Sequence, residues 1–493
     1  MILVWLLILL MGTGLLAWLV AKWSATLSRL ISLAGTVMYI VIVIFLLVEY
    51  KQNPVGQKWT VSFTHEWIPT FGIQLKLAAD GLSLLMLLLT SFLGLLSVLI
   101  SWKEIQKRVG FFHFNLMFEL AGITGVFLCM DMFLFYFFWE VMLIPMFFLI
   151  SIWGNENRIY AANKFFLFTQ GSGLLMLLSI LGIYFIHGHN TGIYTFDYEL
   201  LLGTVMLPQT GFILMLGFAI AFFIKLSIVP FHSWLPDAHT QAPTAGSVIL
   251  AGLLLKTGAY GFIRFVLPLF PEASHQFAPV AMTLGVISIL YGAKLVFAQT
   301  DLKRLVAYIS VSHMGYILLG IYAFNEMAML GVVMQMIVHG ISTGALFIIA
   351  GMLHERIQTR DIEQMGGFWS TVPRMGTMAV LFVMATLGLP GFGNFIAEAL
   401  ILMGTFLTNK TLASIAALGI VASTIYALHI LQKVFYGKEF KPRSIADLNI
   451  REMVVMGSLA LLILGLGLFP NVLLDVSTSS VVALIEKVNS LNF

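Results

Sequence analysis

The sequence predicts an all-α, polytopic membrane protein with about 14 transmembrane helices. Hydrophobic residues make up 60% of the 493 residues and charged residues only 10%, whereas about a quarter of the residues in a soluble domain are charged. Apolar runs of about 20 residues, long enough to cross the hydrocarbon as helices, recur from one end of the chain to the other. Because no linker rich in proline, glycine or serine divides them, residues 1–493 are predicted to form one integral membrane domain.

The predicted spans are joined by polar connections, and their charges predict an orientation. The loops after spans 1, 3, 5, 9, 11 and 13 hold most of the lysines and arginines, whereas the alternate loops are poorer or, after span 2, diluted by acids, so the positive-inside rule places both termini on the outer side. The approximate bounds are Ile2 to Val20, Leu30 to Val48, Leu82 to Ile100, Phe111 to Met130, Met132 to Trp153, Lys164 to Ile186, Thr210 to Val229, Thr244 to Val266, Phe277 to Phe297, Leu305 to Ala323, Met327 to Leu353, Gly376 to Gly404, Lys410 to Leu431 and Glu452 to Val472.

Span 7 carries a lysine followed by a proline within apolar sequence. Pro230 has no N–H to return to the carbonyl of Leu226, the residue directly after Lys225. In a membrane, an unsatisfied backbone group is tolerated only where protein or water meets it. The sequence therefore predicts a break in this helix and a hydrated cavity beside the lysine.

Two further charged residues lie inside spans 5 and 8. Glu140 in span 5 stands five residues before Pro145, the offset that also separates Lys225 from Pro230. Lys256 lies in the middle of span 8, too far from either end to reach the interface easily. Each of these side chains is predicted to need a charged partner or water.

Spans 10 to 12 add two histidines and a second helix break. His313 and His339 lie in SVSHMGY and QMIVHGIS, and a neutral imidazole is easier to bury than a charge. Span 12 is interrupted by LGLPGFGNF, where Pro390 lies between two glycines, and Glu398 follows about two turns later. For the histidines alone, ordinary hydrogen bonds between helices are the alternative interpretation.

Broken helices in both halves of the chain predict an internal repeat. Discontinuous helices at corresponding positions are the sequence signal of inverted repeats with an ion site near the breaks. Spans 4 to 8, residues 111–266, and spans 9 to 13, residues 277–431, are then two five-helix units of inverted topology. The match is one of pattern, because the first break carries a lysine and the second a glutamate.

Ionisable residues thus form a set within the predicted spans. A charge at the membrane centre costs at least about 2.5 kcal/mol on insertion scales, so several in one chain need pairing, hydration or a task. One interpretation is a proton relay that joins hydrated half-channels across the middle of the membrane. The other is a buried polar network that holds the helices in register. The residues are Glu140, Lys225, Lys256, His313, His339 and Glu398.

Several function classes are excluded by composition and motifs. The single cysteine, Cys129, allows no intramolecular disulfide and no thiolate cluster for zinc or iron–sulfur. No Walker loop or dinucleotide glycine pattern is present, so no cofactor is expected in this chain. The net charge of +3 is spread over loops rather than gathered in a basic face, so it does not indicate nucleic acid, and none is expected as a partner.

Several long stretches resemble the antiporter-like, proton-translocating subunits of respiratory complex I, the NADH:quinone oxidoreductase, and most closely the bacterial M type. The resemblance covers nearly the whole chain. The stretches that carry it are FFFWEVMLIPMFFLISIWG, KLSIVPFHSWLPDAHTQAPTAGSVILAGLLLKTGAYGFIRF, AQTDLKRLVAYISVSHMGY, HGIST, HERIQTRDIEQMGG and ATLGLPGFGNFIAE.

The resemblance implies a role for each of the six residues. Glu140, Lys225, Lys256 and Glu398 fall on the family's proton path, and the two histidines match central relay positions. Lysine is usual in span 12 of the sister subunits, so Glu398 favours the M type. Glu119 in span 4 has no assignment in the M-type pattern; pairing with a lysine and a subunit contact are both open for it.

The resemblance also implies partners and a location. The chain would be a translocase subunit in a bacterial inner membrane, with both termini on the periplasmic side, in contact with lipid and with other membrane-arm subunits, including sister antiporter-like subunits. NADH, FMN, iron–sulfur clusters and quinone are expected in partner subunits.

Two alternatives stay open at this point. One is a sodium/proton antiporter subunit of a multisubunit cation antiporter or a membrane-bound hydrogenase. Such a site needs several oxygen ligands, and around LPGFGNF only backbone carbonyls and Asn394 are evident. The other is a membrane scaffold, which predicts that apolar replacements of the buried charges are harmless or stabilising.

Overall fold

The computed structural model describes residues 1–52, 59–438 and 445–490, which are almost entirely helical. The helices are α1 Ile2–Val20, α2 Ala25–Gln52, α3 Gly81–Glu104, α4 Val109–Leu128, α5 Met132–Val141, α6 Leu143–Trp153, α7 Arg158–Thr191, α8 Tyr198–Leu201, α9 Pro208–Leu226, α10 Trp234–Gln241, α11 Thr244–Leu269, α12 Pro271–Phe297, α13 Leu302–Ile321, α14 Glu326–Ile357, α15 Phe368–Thr371, α16 Pro373–Thr386, α17 Gly393–Thr408, α18 Lys410–Tyr436, α19 Ile450–Leu468 and α20 Asn471–Asn489.

The described residues contain 13 helices, counting α5 and α6 as one, that are long and apolar enough to cross a membrane. The remaining predicted span, the twelfth, is divided into α16 and α17, neither of which has the length of a full span. The predicted all-α fold with about 14 transmembrane helices is thus confirmed. Part of the loop after span 13, residues 439–444, lies outside the described residues.

Several of the helices begin at a polar residue that caps the first turn. The carboxylates of Asp80, Asp131 and Asp301 accept hydrogen bonds from the backbone N–H groups three residues further on, at the starts of α3, α5 and α13. Asn325 does the same for α14. Each cap satisfies a backbone donor that has no partner within the helix, which fixes where the apolar segment starts.

The predicted breaks are present, with small differences in their bounds. Helix α9 ends at Leu226, where Ser227 takes a left-handed conformation with φ of 61°, so span 7 is three residues shorter than predicted at Val229. The chain then turns and forms α10. In span 12 the turn between α16 and α17 uses Gly388 and Gly391, with φ of 78° and 101°. Glycine is favoured there because it adopts positive φ without steric cost.

A β-hairpin between α2 and α3 is the largest feature that the hydropathy pattern did not predict. Strands β1 (Val61–Ile68) and β2 (Ile73–Ala79) are antiparallel, with Val61 opposite Ala79. Lys76 on β2 forms ion pairs with Asp197 and Glu199 at 2.8 and 2.6 Å. The hairpin therefore connects α3 to the start of α8.

The charges around the hairpin shift two pKa values. Burial acts to lower the pKa of Lys76, but the hydrogen bonds and charges of Asp197 and Glu199 raise it overall. Burial also raises the pKa of the capping Asp131 to about 6, despite hydrogen bonds from the backbone N–H groups of Leu134 and Gln74.

The centre of the molecule is formed by three enclosed helices. The most apolar stretch of α11 is completely buried, and 94% of the corresponding stretches of α13 and α14 is buried, compared with 33% for α1 and α2. Helix α14 packs against α11, α13 and α17. Helices α11, α13 and α14 carry Lys256, His313 and His339, so three of the predicted site residues lie in the most enclosed part of the fold.

Candidate functional site

Lys256 lies at the centre of α11 with no exposed surface. Its ammonium donates a hydrogen bond to the carbonyl of Ala251, five residues earlier, and lies 2.7 Å from Nδ1 of His339. The residues before it, 250–254, form a widened π-helical turn, a feature often found at functional sites. This turn places the Ala251 carbonyl within reach of the lysine on its own helix.

Close packing of α11 on α14 brings Lys256 to His339. Gly252 and Gly340 face each other at this contact: a Cβ on Gly340 would lie 3.0 Å from the Gly252 carbonyl oxygen. With no side chain at either position the two backbones approach closely. Lysine and histidine side chains on the two helices can therefore form a direct hydrogen bond.

The row continues from His339 to Glu398. The rings of His339 and His313 are 5.4 Å apart at their centroids and inclined by 80°. Nε2 of His313 lies 3.8 Å from Oε1 of Glu398, and both side chains are buried. We call Lys256, His339, His313 and Glu398 the central row, and it passes through α11, α14, α13 and α17.

Several polar atoms of the central row have no hydrogen-bond partner among the described residues. They are Nε2 of His339, both ring nitrogens of His313 and Oε1 of Glu398. Buried polar atoms are nearly always hydrogen-bonded, and exceptions often mark a functional or hydrated site. The row thus combines close spacing with free capacity to accept or donate protons.

Glu140 and Lys225 form a second, looser site. Lys225 is 1% exposed in the last turn of α9, and its ammonium lies 5.0 Å from the ring centre of Trp139 and 5.9 Å from that of Phe165. Neither the Lys225 ammonium nor Oε1 of the partly buried Glu140 has a hydrogen-bond partner among the described residues. The aromatic rings offer the cation an electrostatic contact without binding it in one place.

A glycine on the neighbouring helix makes room for the Glu140 carboxylate. A Cβ added to Gly173 of α7 would lie 2.2 Å from Oε1 of Glu140, which real Cβ atoms do not tolerate. Gly388 stands in a similar relation to the central row, since its Cβ would lie 3.0 Å from Oε2 of Glu398. Both carboxylates therefore occupy space that a side chain would otherwise fill.

All six sequence-predicted residues are buried or partly buried, and the structure divides them into two sites. Four form the central row, while Glu140 and Lys225 lie together elsewhere. No hydrogen bond or ion pair joins Lys225 to the central row within the described residues. The sequence grouped the six residues as one set, whereas the structure places them in two sites, and the role of each residue stays a prediction.

His239 on α10 was not singled out from the sequence. Its ring has no exposed surface, stacks on Phe347 at 4.5 Å, and has no hydrogen-bond partner on either nitrogen among the described residues. It interacts electrostatically with Lys256 and His339. The sequence signal for His239 was its position in HSWLPDAHTQAP, between Lys225 and Lys256. This signal is weak, because a histidine in a short polar segment is usually exposed.

Glu119 on α4 also lies next to the site. It has no exposed surface, and neither carboxylate oxygen has a hydrogen-bond partner among the described residues. Its charge acts on Lys225. Of the two roles left open for Glu119, a subunit contact is excluded by its complete burial.

The segment that joins α10 to α11 is held by its own polar contacts. The ammonium of Lys303 donates to the carbonyl of Ala242 at 3.0 Å, and Glu104 accepts from the backbone N–H and the hydroxyl of Thr244. Asp237 forms ion pairs with Lys164 and Arg304. These contacts fix the position of α10, and with it His239, against α7 and α13.

Comparisons with known proteins identify the family. The family described as NADH:quinone oxidoreductase/Mrp antiporter, TM, matches residues 129–425, more than half of the chain. NADH-quinone oxidoreductase subunit M of Pseudomonas aeruginosa is 50% identical over 491 residues, covering 97% of this chain and 96% of that protein.

Solved structures agree with this assignment. A chain of respiratory complex I from Thermus thermophilus with bound NADH is 30% identical, with a TM-score of 0.88 over 99% of this chain and 100% of that one. A chain of the Mrp complex from Dietzia has a TM-score of 0.83 over 98% of both chains; at 20% identity it shows the fold alone. This chain is a multi-pass membrane protein that belongs to the NADH-quinone oxidoreductase subunit M family.

Proposed function

We propose that this chain carries protons across the membrane as the M-type subunit of a bacterial NADH-quinone oxidoreductase. The observation that carries the proposal is the central row, in which four ionisable side chains on four helices follow one another through the most enclosed part of the fold. In a structural polar network the members would be hydrogen-bonded, whereas several atoms of this row have no hydrogen-bond partner within residues 1–52, 59–438 and 445–490. Membership of the subunit M family supports the same function.

The geometry allows a stepwise transfer along the row. The Lys256 ammonium can give a proton to Nδ1 of His339 across their 2.7 Å contact. The rings of His339 and His313 are 5.4 Å apart at their centroids, so the proton passes between them through a bridging water molecule, and the 3.8 Å approach of His313 Nε2 to Glu398 brings it to the carboxylate. Release from Glu398 to the opposite side of the membrane and reprotonation of Lys256 complete one cycle.

Glu140 and Lys225 are proposed to gate this transfer. Lys225 lies one residue before the end of α9, so its ammonium can move without the rearrangement of an intact helix. At about 4 Å and an effective dielectric constant of 20, two unit charges interact by about 4 kcal/mol. Moving Lys225 towards or away from Glu140 therefore changes the electrostatic potential at Lys256, where the central row begins.

The remaining features of the assignment belong to the same proposal. Both termini lie on the periplasmic side of the bacterial inner membrane, and residues 111–266 and 277–431 form two inverted five-helix units. Partner subunits of the membrane arm, including sister antiporter-like subunits, contact its flanks. NADH oxidation and quinone reduction take place in other subunits, which hold FMN and the iron–sulfur clusters, so the energy arrives here as a conformational or electrostatic signal.

The test is NADH-driven proton pumping in native membranes that carry Glu140→Gln or Lys225→Ala, with assembly of the complex measured in the same samples. Loss of pumping in a fully assembled complex is expected. Thr169→Val is a matched control, because Thr169 is buried on the adjacent α7 and its hydroxyl donates only within its own helix. Normal pumping by the assembled variants would refute the gating role.

A further inference from the structure

Glu119 is a buried carboxylate that the proposed proton path does not use. It has no exposed surface, and both of its oxygens lack a hydrogen-bond partner within the described part of the chain. Removing one member of a buried charge pair is strongly destabilising, because it leaves the other charge uncompensated. A carboxyl group in this position either keeps its proton or has a cation nearby.

The position of Glu119 relative to the helix break is fixed by packing. Gly122, three residues further along α4 and on the same face, packs against the backbone of Met142, where α5 gives way to α6; a Cβ there would lie 3.0 Å from the Met142 Cα. Glu119 thus faces the helix pair that carries Glu140.

Lys225 is the cation whose charge acts on Glu119. The Lys225 ammonium lies 5.0 Å from the ring centre of Trp139, on the helix pair that Glu119 faces and directly before Glu140 in the chain, and the charges of both carboxylates act on it. The ammonium makes no hydrogen bond with either of them. One buried cation is therefore shared between two carboxylates on different helices.

We propose that Glu119 is a second counter-ion of Lys225, a positioning residue that stabilises the ammonium when Glu140 is protonated or turned away. This inference rests on the proposed function, because it gives the Lys225 switch a second position. With Glu140 as its only partner, the ammonium would be left unpaired in each cycle, which a buried charge does not tolerate. With Glu119 present, the cation has an anion close to it throughout.

The first test is a double-mutant cycle read out as thermal stability of the assembled complex. Lys225→Met leaves a carboxylate without its cation and should lower the apparent Tm or the assembled amount, and adding Glu119→Gln should restore part of the loss. Effects of residues that do not interact add, whereas interacting residues deviate from additivity. Additive losses would overturn the proposal.

If Lys225→Met prevents assembly, the amount of assembled complex that the double variant recovers measures the same interaction between the two residues. This readout does not involve pumping. It therefore distinguishes a failure of the Glu119 proposal from a failure of the proposed function.

The second test separates charge from shape. Glu119→Asp keeps the charge and should retain most of the pumping, whereas Glu119→Gln keeps the shape and should lose about tenfold, equivalent to about 1.4 kcal/mol. A packing role predicts the reverse order, with Gln the better replacement, and that order would refute the proposal. Thr124→Val is the control on the same helix, because its buried hydroxyl contacts Tyr39 at 2.8 Å instead of Lys225.

Discussion

The central row and the Glu140–Lys225 site use the same residue types in different structural settings. In the central row, Lys256 and His339 are 2.7 Å apart and His313 and Glu398 are 3.8 Å apart at their nearest nitrogen and oxygen atoms. The helices that carry Lys256 and the two histidines are almost completely enclosed. At the other site the cation lies over aromatic rings, next to the end of a helix, and forms no hydrogen bond with a carboxylate in the described part of the chain. The comparison supports the proposal that the central row conducts protons and that Lys225 moves.

The physical difference lies in how each lysine is held. Lys256 is fixed by two hydrogen bonds, to the carbonyl of Ala251 and to Nδ1 of His339. Lys225 makes no hydrogen bond to any residue that the structure describes, and the chain turns at Ser227, two residues later. Aromatic rings attract a cation over a broad area, so Lys225 can change position at a small energetic cost.

Lys256→Ala should have the largest effect, because it removes the first member of the central row. We expect NADH-driven proton pumping to fall at least about a hundredfold, equivalent to about 2.7 kcal/mol, in an assembled complex. Thr257→Val is the control, since this neighbouring buried hydroxyl donates only to the carbonyl of Leu254. Pumping that survives in Lys256→Ala would mean that protons bypass the row.

Gly173→Ala should disturb the looser site without removing a charge. The new methyl group would lie 2.2 Å from Oε1 of Glu140 and must displace the carboxylate. We expect a loss of pumping of about tenfold, equivalent to about 1.4 kcal/mol. Gly171→Ala on the same helix is the matched control, because nothing lies within 4 Å of its Cβ. Equal effects of the two variants would show that helix α7, rather than the carboxylate, is responsible.

Gly388→Ala should have a smaller effect at the Glu398 end of the central row. Its Cβ would lie 3.0 Å from Oε2 of Glu398, and its φ of 78° is also unfavourable for alanine. Gly391→Ala has a φ of 101° and nothing within 4 Å, so it reports strain alone. We expect pumping to fall severalfold more in the Gly388 variant, and similar losses would refute a role for the contact with Glu398.

Asp131 lies outside both sites and should affect stability rather than pumping. Burial raises its pKa from 3.8 to about 6 in the folded chain, so the unfolded chain ionises first. Stability should therefore decrease as the pH rises through this interval, by up to about 1.4 kcal/mol per pKa unit. Asp131→Asn should flatten the dependence of the apparent Tm on pH over this interval.

Asp301→Asn removes a comparable helix-capping carboxylate and is the control for Asp131. Pumping at neutral pH should be close to normal in both variants. If the apparent Tm of Asp131→Asn still depends steeply on pH, another group is responsible for that dependence.

The spans, their breaks and the six buried residues could be predicted because each follows from local chemistry. Long apolar runs require helices in a membrane, and proline removes a backbone donor at a known place. Thus the breaks near Pro230 and Pro390 can be predicted from the sequence without any knowledge of tertiary contacts. The hairpin was not, because strands β1 and β2 lie between spans, in a segment that hydropathy does not describe.

The arrangement of the site depends on which helices pack together, and no single segment of the sequence determines that packing. Glu119 and Lys225 are far apart in the sequence, and they are related only because α4 packs against α5 and α6 and Lys225 lies 5.0 Å from the ring centre of Trp139 on α5. His239 is buried because α10 is enclosed by α7, α13 and α14, the last of which carries Phe347. The division of six residues into two sites is likewise a tertiary property.

The glycines that face Glu140 and Glu398 have a consequence for how such proteins change over evolutionary time. Each carboxylate fills a recess that exists only because a neighbouring helix or turn has glycine there. A carboxylate moved to another turn of its helix would need a new recess, and the abandoned glycine could then acquire a side chain. Among descendants of this chain, the acid and its facing glycine should therefore be gained and lost as a pair.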